Sequence, residues 1–264
     1  RLGLQDTPIS TEDARVTPVT VDGETRLWMT AVIIIDPCAP EVIRLREGSG
    51  LETLESDWRA CTMLTEISLD GDRIVFSEDP EDYSIITPPE LSDKDVVPFP
   101  RPIGGEFMFL DRRVPVGREE SHGDENRPCT KIARLDPEAM ELEAPRVLLP
   151  VKTESSWENL KNGAGLPPLR TERGWLLVYH GVDELNVYRT GAALTALDEP
   201  TQILWRSPEP ILEPERKYEE EGDVPNVTFA TGGGIVEGRL VVFYGCADKF
   251  CGVAATMLEN LPEP

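Results

Sequence analysis

Basic residues are scarce in this chain: 26 Lys and Arg stand against 49 Asp and Glu, for a formal net charge of -23. A phosphate backbone is held by clustered Lys and Arg, so nucleic acid is excluded as a partner, and an anionic membrane surface is disfavoured for the same reason. No apolar run approaches the roughly 20 residues a membrane helix requires. Arg1 to Ser10 lacks the basic start, apolar middle and small-residue cleavage site of a secretory signal. Only two histidines occur, and no HxH, HExxH or clustered Cys/His set, so no metal is expected. The five cysteines, Cys38, Cys61, Cys129, Cys246 and Cys251, form an odd set without a CxxC pair. That fits neither a disulfide framework nor a zinc ribbon and points to a reducing, cytoplasmic setting, in which a bond between Cys246 and Cys251 across their turn is disfavoured. No segment longer than a turn or two carries a 3.6-residue apolar period, which argues against helices.

What the chain does contain is a repeat. A turn carrying glycine leads into a strand of large apolar residues four times: Asp22-Gly23 before Arg26 to Val32, Gly104-Gly105 before Glu106 to Leu110, Arg173-Gly174 before Trp175 to Tyr179, and Glu237-Gly238 before Arg239 to Tyr244. A second strand with small or β-branched residues follows each: Thr62 to Asp70, Thr130 to Asp136, Thr190 to Asp198 and Val253 to Leu258. Three of these are followed by a shorter run, Arg73 to Phe76, Arg146 to Leu149 and Gln202 to Trp205. The unit is three or four short antiparallel strands, spaced more widely than the roughly 40 to 50 residues of common short propeller repeats. This predicts an all-β chain, a single β-propeller domain over residues 1–264, with its 24 prolines and 21 glycines mainly in inter-strand loops. Each small sheet would bury both faces against neighbours and ring closure would leave only short edges. A β-sandwich would not repeat one turn-strand-strand unit four times.

In a propeller, ligands meet loops near the central axis. Four stretches qualify: Thr11-Glu12-Asp13-Ala14-Arg15; Lys94-Asp95-Val96-Val97-Pro98-Phe99-Pro100; Trp157 to Pro168 followed by Gly174-Trp175-Leu176-Leu177-Val178-Tyr179-His180-Gly181; and Gly222 to Phe229 followed by Phe243-Tyr244-Gly245-Cys246-Ala247-Asp248. In this order they resemble glycoside hydrolase family 130, the β-mannoside phosphorylases and related mannosidases, from about Glu12 to Leu258. The part from Trp157 to Asp248 is the more specific; EDAR stands where the family usually has EDPR, and the acidic stretches Gly48 to Asp57 and Gly117 to Arg127 look like insertions. The resemblance implies a five-bladed propeller whose first blade precedes the EDPR segment, whereas here only twelve residues precede Asp13 and four units are visible.

Inverting hydrolysis needs one carboxylic acid to protonate the leaving oxygen and a second carboxylate to activate water. Phosphorolysis replaces the second with a dianionic nucleophile and so calls for cationic donors. Lys161 and His180, in adjacent matched motifs of a very acidic chain, supply that sign, and the resemblance assigns them to phosphate. It likewise implies that Asp13 is the general acid, acting through the 3-hydroxyl of the mannosyl unit, and that Asp248 holds mannose hydroxyls. Arg15 would steady Asp13 or reach the substrate, Lys94 and Asp95 stand at a further site segment, and Tyr179, Asn226 and Tyr244 would line the pocket. The implied reaction is phosphorolysis of a β-mannoside to α-mannose 1-phosphate, with inorganic phosphate as co-substrate and no cofactor. An inverting β-mannosidase and a non-catalytic sugar-binding propeller are the alternatives, and homo-oligomerisation is left open.

Each residue also has a plainer reading. A histidine at a strand end is usually hydrogen-bonded structure, and a lysine is usually solvated. Asp13 could cap a turn or pair with Arg15, and Asp248 could cap the loop to Phe250. His122 reads as a loop residue, Glu219-Glu220-Glu221 as a solvent-exposed run, and Trp28 and Trp175 as core rather than sugar platforms.

Overall fold

A computed structural model describes residues 9–35, 59–88, 91–115 and 127–261. Cys38, His122 and the two acidic stretches, apart from Arg127, lie outside them. The chain forms two compact units, Arg1–Pro145 and Arg146–Pro264. Among the described residues, no helix is long and apolar enough to cross a membrane.

In the first unit, β1 (Ile9–Val21), β2 (Glu24–Ile35), β3 (Arg59–Asp70) and β4 (Arg73–Phe76) form an antiparallel sheet in chain order, with β5 (Tyr83–Ile85) also on β3. A two-strand ladder joins β6 (Leu91–Ser92) to β9 (Val114–Pro115). The second sheet runs β11-β10-β8-β7, from β7 (Val97–Pro98), β8 (Met108–Asp111), β10 (Thr130–Asp136) and β11 (Glu141–Leu149), whose end crosses into the second unit. In that unit β12 (Lys161–Ala164), β14 (Trp175–Val182), β15 (Tyr188–Thr195) and β16 (Ile203–Arg206) form the third sheet, with β13 (Leu169–Arg170) also on β14. A four-residue helix, α1 (Lys217–Glu220), precedes the fourth, β17 (Thr228–Val236), β18 (Arg239–Cys246) and β19 (Phe250–Met257). The four repeated units are therefore four meandering antiparallel sheets with the strands expected of blades.

The turns explain the hairpins. Asp22-Gly23, Gly104-Gly105 and Glu237-Gly238 all have positive φ at both residues, the two-residue turn whose twist matches that of paired strands. Gly174 serves differently: a Cβ there would lie 2.3 Å from the Thr195 carbonyl oxygen, so glycine lets two strands approach. Strand alternation then builds the cores. Leu64 and Ile86 of the first unit pack with Val96, Phe109, Ala133, Leu135 and Leu142, with Trp28 and Phe107 against them. In the second unit Leu176, Val178, Ala192 and Leu194 of the third sheet pack on Ala230, Leu240 and Val242 of the fourth. Each buried leucine contributes roughly 1.5 to 3 kcal/mol. Trp28 is half-buried against Phe107 and Phe109, and Trp175 is buried with its indole N–H on the Leu197 carbonyl, so both are core.

Among the described residues, the opposite face of the fourth sheet is open: Phe243 pairs with Val253 at 56% and 62% exposure, and a Cβ at Gly232 or Gly234 would meet no atom within 4 Å. Cys61, Cys129, Cys246 and Cys251 are free thiols. Cys246 pairs with Phe250 and Cys251 with Gly245, which sends the two sulfurs to opposite faces of the sheet. One expectation is corrected: Glu219 is buried, not part of an exposed run. Its carboxylate folds back to accept the N–H groups of Glu215 and Arg216 and the Tyr244 hydroxyl, 2.7 Å away, which satisfies helix-start donors that would otherwise be orphaned.

Candidate functional site

The first unit carries a charged cluster at a strand irregularity. β1 pairs with β2 from Ile9↔Ile35 to Glu12↔Val32 and resumes at Arg15↔Thr30, so Asp13 and Ala14 form a bulge. Asp13 takes a left-handed backbone with φ 55, one that an aspartate tolerates better than most residues. Arg15 is 1% exposed; its Nη1 donates to the Asp13 carbonyl oxygen at 2.5 Å, and its Nη2 lies 3.6 Å from Asp95 Oδ1. Asp95, also left-handed at φ 59 and 2% exposed, places its other oxygen 2.9 Å from Arg112 Nε. The loop bearing Asp95 is pinned by the buried Thr30 hydroxyl on the Val96 carbonyl and by the Arg112 N–H on the Lys94 carbonyl. Lys94 reaches Glu12 at 2.7 Å. Burial pushes the Asp13 carboxyl above the usual carboxylate range; Arg15 opposes this, Asp95 and Glu12 reinforce it, and Lys94 opposes it. Asp13, Arg15, Lys94 and Asp95 are thus brought together, and the raised pKa of Asp13 suits a proton donor.

Beneath this cluster lies a second one. Asp111 accepts Arg113 Nη2 at 2.6 Å, and Asp93 Oδ1 accepts the Arg112 N–H at 3.1 Å. Burial, then the neighbouring Asp111, hold Asp93 well above the usual carboxylate range, against Arg113, the Arg112 N–H and Lys131.

In the second unit, Gly163 pairs with His180 and Lys161 with Val182, so the lysine and histidine are diagonal neighbours on one sheet face. Tyr188 of β15 shares that face. The His180 ring, 1% exposed, lies 4.7 Å from the Phe229 ring and 5.9 Å from that of Tyr188, over which Lys161 Nζ stands at 5.6 Å. Asn226 is exposed, left-handed at φ 60, and its carbonyl accepts the Tyr188 N–H. Asp248 is exposed on the β18–β19 turn with φ 52.

The two tyrosines sit elsewhere. Tyr179 points to the other face of β14, where its hydroxyl donates to Glu158 at 3.0 Å and accepts from Arg206 Nε at 3.1 Å. Glu158 is fully buried and also meets Arg206 Nη2 at 2.5 Å. Tyr244 bonds Glu219 and lines a cavity of about 390 Å³ with Arg216 and Tyr218. Sequence reasoning missed Arg112, Asp93, Tyr188 and Phe229. Two of these had a sequence signal: Asp93 adjoins Lys94-Asp95, and Phe229 ends the VPNVTF segment. Among the described residues, no group of three or more His, Cys, Asp and Glu is placed to hold a metal ion.

The sheet architecture is first of all that of solved glycoside hydrolases: a glycosyl hydrolase from Bacteroides ovatus superposes at TM-score 0.62 with 17% identity over 95% of this chain and 66% of that one, a likeness of fold. A nearer structure is β-1,2-mannobiose phosphorylase from Listeria innocua in complex with β-1,2-mannobiose, at TM-score 0.68 and 28% identity, covering 95% of this chain and 59% of that one. Residues 73–263 match the model of glycoside hydrolase family 130, described as β-1,4-mannooligosaccharide phosphorylase, and the chain belongs to this family. Among curated relatives, the 1,2-β-oligomannan phosphorylase of Thermoanaerobacter sp. (strain X514) is 32% identical over 212 residues, 80% of this chain and 62% of that protein. The β-1,4-mannooligosaccharide phosphorylase of Ruminococcus albus is 34% identical over 174 residues, 64% of this chain and 49% of that protein. The chain thus spans less than two thirds of the length of these relatives.

Proposed function

We propose that this protein catalyses inverting phosphorolysis of β-mannosides. A phosphate oxygen attacks the anomeric carbon, the glycosidic C–O bond breaks, and a proton originating on Asp13 passes through the mannosyl 3-hydroxyl to the leaving oxygen, which gives α-mannose 1-phosphate and a shortened acceptor. The observation that carries this reading is Lys161 and His180 on one face of the third sheet, a cationic and hydrogen-bonding pair in a chain of net charge -23. Membership in a family whose matched relatives are named as mannoside phosphorylases supports it. In this reading Arg15, Lys94 and Asp95 serve the acid's side of the site, Asn226 and Asp248 the sugar, Tyr179 supports the strand that carries His180, and Tyr244 supports β18 of the neighbouring sheet. No cofactor besides phosphate takes part, the four sheets are blades of one β-propeller domain of the five-bladed kind, and the protein works in the cytoplasm.

The test is incubation with β-1,2- and β-1,4-mannooligosaccharides with and without phosphate. Sugar phosphate formed only when phosphate is present is the expected result. Free mannose released equally in both would replace phosphorolysis by hydrolysis, and saturable sugar binding without turnover would leave a binding protein. Lys161→Ala should raise the KM for phosphate at least about tenfold, the loss of one charged hydrogen bond, with the melting temperature nearly unchanged. An unaltered KM would remove Lys161 from the site.

A further inference from the structure

We propose that Arg206 is a positioning residue for phosphate, a three-way staple that sets the segment ending at Lys161 against the strand that carries His180. The inference rests on the reading of Lys161 and His180 as the phosphate pair. Arg206 closes β16 with its side chain 8% exposed. Its Nη1 donates to the Pro150 carbonyl oxygen at 2.7 Å, its Nη2 to Glu158 at 2.5 Å and its Nε to the Tyr179 hydroxyl at 3.1 Å, and the guanidinium also lies over the Tyr179 ring. Pro150 opens the segment between β11 and β12, Glu158 stands three residues before Lys161, and Tyr179 adjoins His180 in the chain. One side chain thus grips the approach to both members of the pair.

Lys161 is the first residue of β12, so the segment before it sets its placement together with the ladder. That segment lies directly on the back of the sheet. A Cβ on Gly181 would come within 2.6 Å of both Trp157 and Glu158, and one on Gly191 within 2.4 Å of Trp157, so a shift of the segment is felt in β14 and β15. Trp157 adds its indole N–H on the Pro208 carbonyl, two residues beyond Arg206. Glu158 is fully buried and requires a counter-charge, which Arg206 provides together with Lys152 at 3.3 Å. Burial pushes the Tyr179 hydroxyl above its ordinary value, against Arg206 and with Glu158, so the hydroxyl keeps the proton it gives to Glu158. Tyr179 and His180 point to opposite faces of β14, so Arg206 acts on the pair from behind, through its partners.

The test replaces both charges at once, Arg206→Gln with Glu158→Gln, because removing the arginine alone would strand a buried carboxylate. Initial rates are taken with phosphate varied at saturating β-1,2-mannobiose and the reverse, in the wild-type and Lys161→Ala backgrounds. Phosphate binding without sugar is followed by isothermal titration calorimetry. The paired variant should raise the KM and Kd for phosphate about tenfold, the effect of misplacing one charged hydrogen bond, with the KM for mannobiose within about threefold. In the Lys161→Ala background the same pair should change the phosphate KM by less than about threefold, since the segment then delivers no cation. Arg206→Lys keeps a charge on Glu158 but not the fork, and should recover part of the loss.

Equal rises in the two KM values, an unchanged phosphate Kd, or the same loss with Lys161 absent would overturn the proposal, because a purely structural role predicts each of these. Should the paired variant fail to fold, Tyr179→Phe carries the test, since it removes the hydroxyl between Arg206 and Glu158 and keeps the ring. A rise of about threefold in the phosphate Kd is expected there, and no change would also overturn the staple. Wild-type protein that binds phosphate but forms no sugar phosphate would bring down the reaction alone, while the Kd would still report on the staple. Wild-type protein that binds no phosphate would bring down the pair itself, and the staple with it.

Discussion

Asp93 is buried with Asp111 beside it, and its carboxyl is held well above the usual carboxylate range. The sign of its effect on stability follows. A group whose folded pKa is raised binds its proton more tightly when folded, so its contribution is fully present below the unfolded value near 3.9 and is lost as pH rises toward the folded pKa. At neutral pH this residue is a burden. Asp93→Asn, which keeps an acceptor for the Arg112 N–H and gains a donor toward Asp111, should raise the melting temperature at pH 7 by about 2 to 4 °C, the shift that roughly 1 kcal/mol produces in a chain of this size. It should also flatten the decline in stability above pH 4, as calorimetry over pH 4 to 8 would reveal. At this scale sequence reading reached Asp13, Arg15, Lys94 and Asp95, because two short motifs carry them. It did not reach Arg112, whose partners lie on another segment, or Asp93, whose place beside Lys94-Asp95 marks the segment but not the depth of burial that sets its behaviour.

The third and fourth sheets share a device at the level of the strand. In each, a tyrosine of the strand second in the sheet order lies over a glycine of the next and gives its hydroxyl to a buried glutamate: Tyr179 over Gly191 toward Glu158, and Tyr244 over Gly252 toward Glu219. A Cβ at Gly191 would meet Trp157 at 2.4 Å and Tyr179 at 2.7 Å, and one at Gly252 would meet Tyr244 at 2.4 Å. Gly191→Ala should therefore cost roughly 1 to 3 kcal/mol by overpacking, measured by urea unfolding. Tyr244→Phe should cost about 1 to 3 kcal/mol by leaving one glutamate oxygen without its hydroxyl donor. The turn glycines, the apolar strands and the strands of small residues were legible, since the first set backbone geometry and the others set side-chain volume. The glutamates were not. Glu219 stands in a run of three acids whose pattern is that of a solvated surface, and only the fold shows that Tyr244 and two backbone donors await it.

Over the whole molecule, the repeat foretold the number of sheets because each is closed by local turns, whereas the relation of one sheet to the next depends on contacts far apart in sequence. The acidic composition also bears on behaviour in solution. The bare flank of the last sheet, where Phe243 and Val253 stand open above two uncovered glycines, is the kind of surface on which one molecule sticks to another. At neutral pH mutual repulsion between acidic neighbours keeps such flanks apart. Acidification toward roughly pH 4 strips that repulsion as carboxylates take up protons, so the protein should cloud there, and Phe243→Lys should stay clear to lower pH in a turbidity titration. The many carboxylates thus act as a shield for one open flank, and a buffer that neutralises them lowers it.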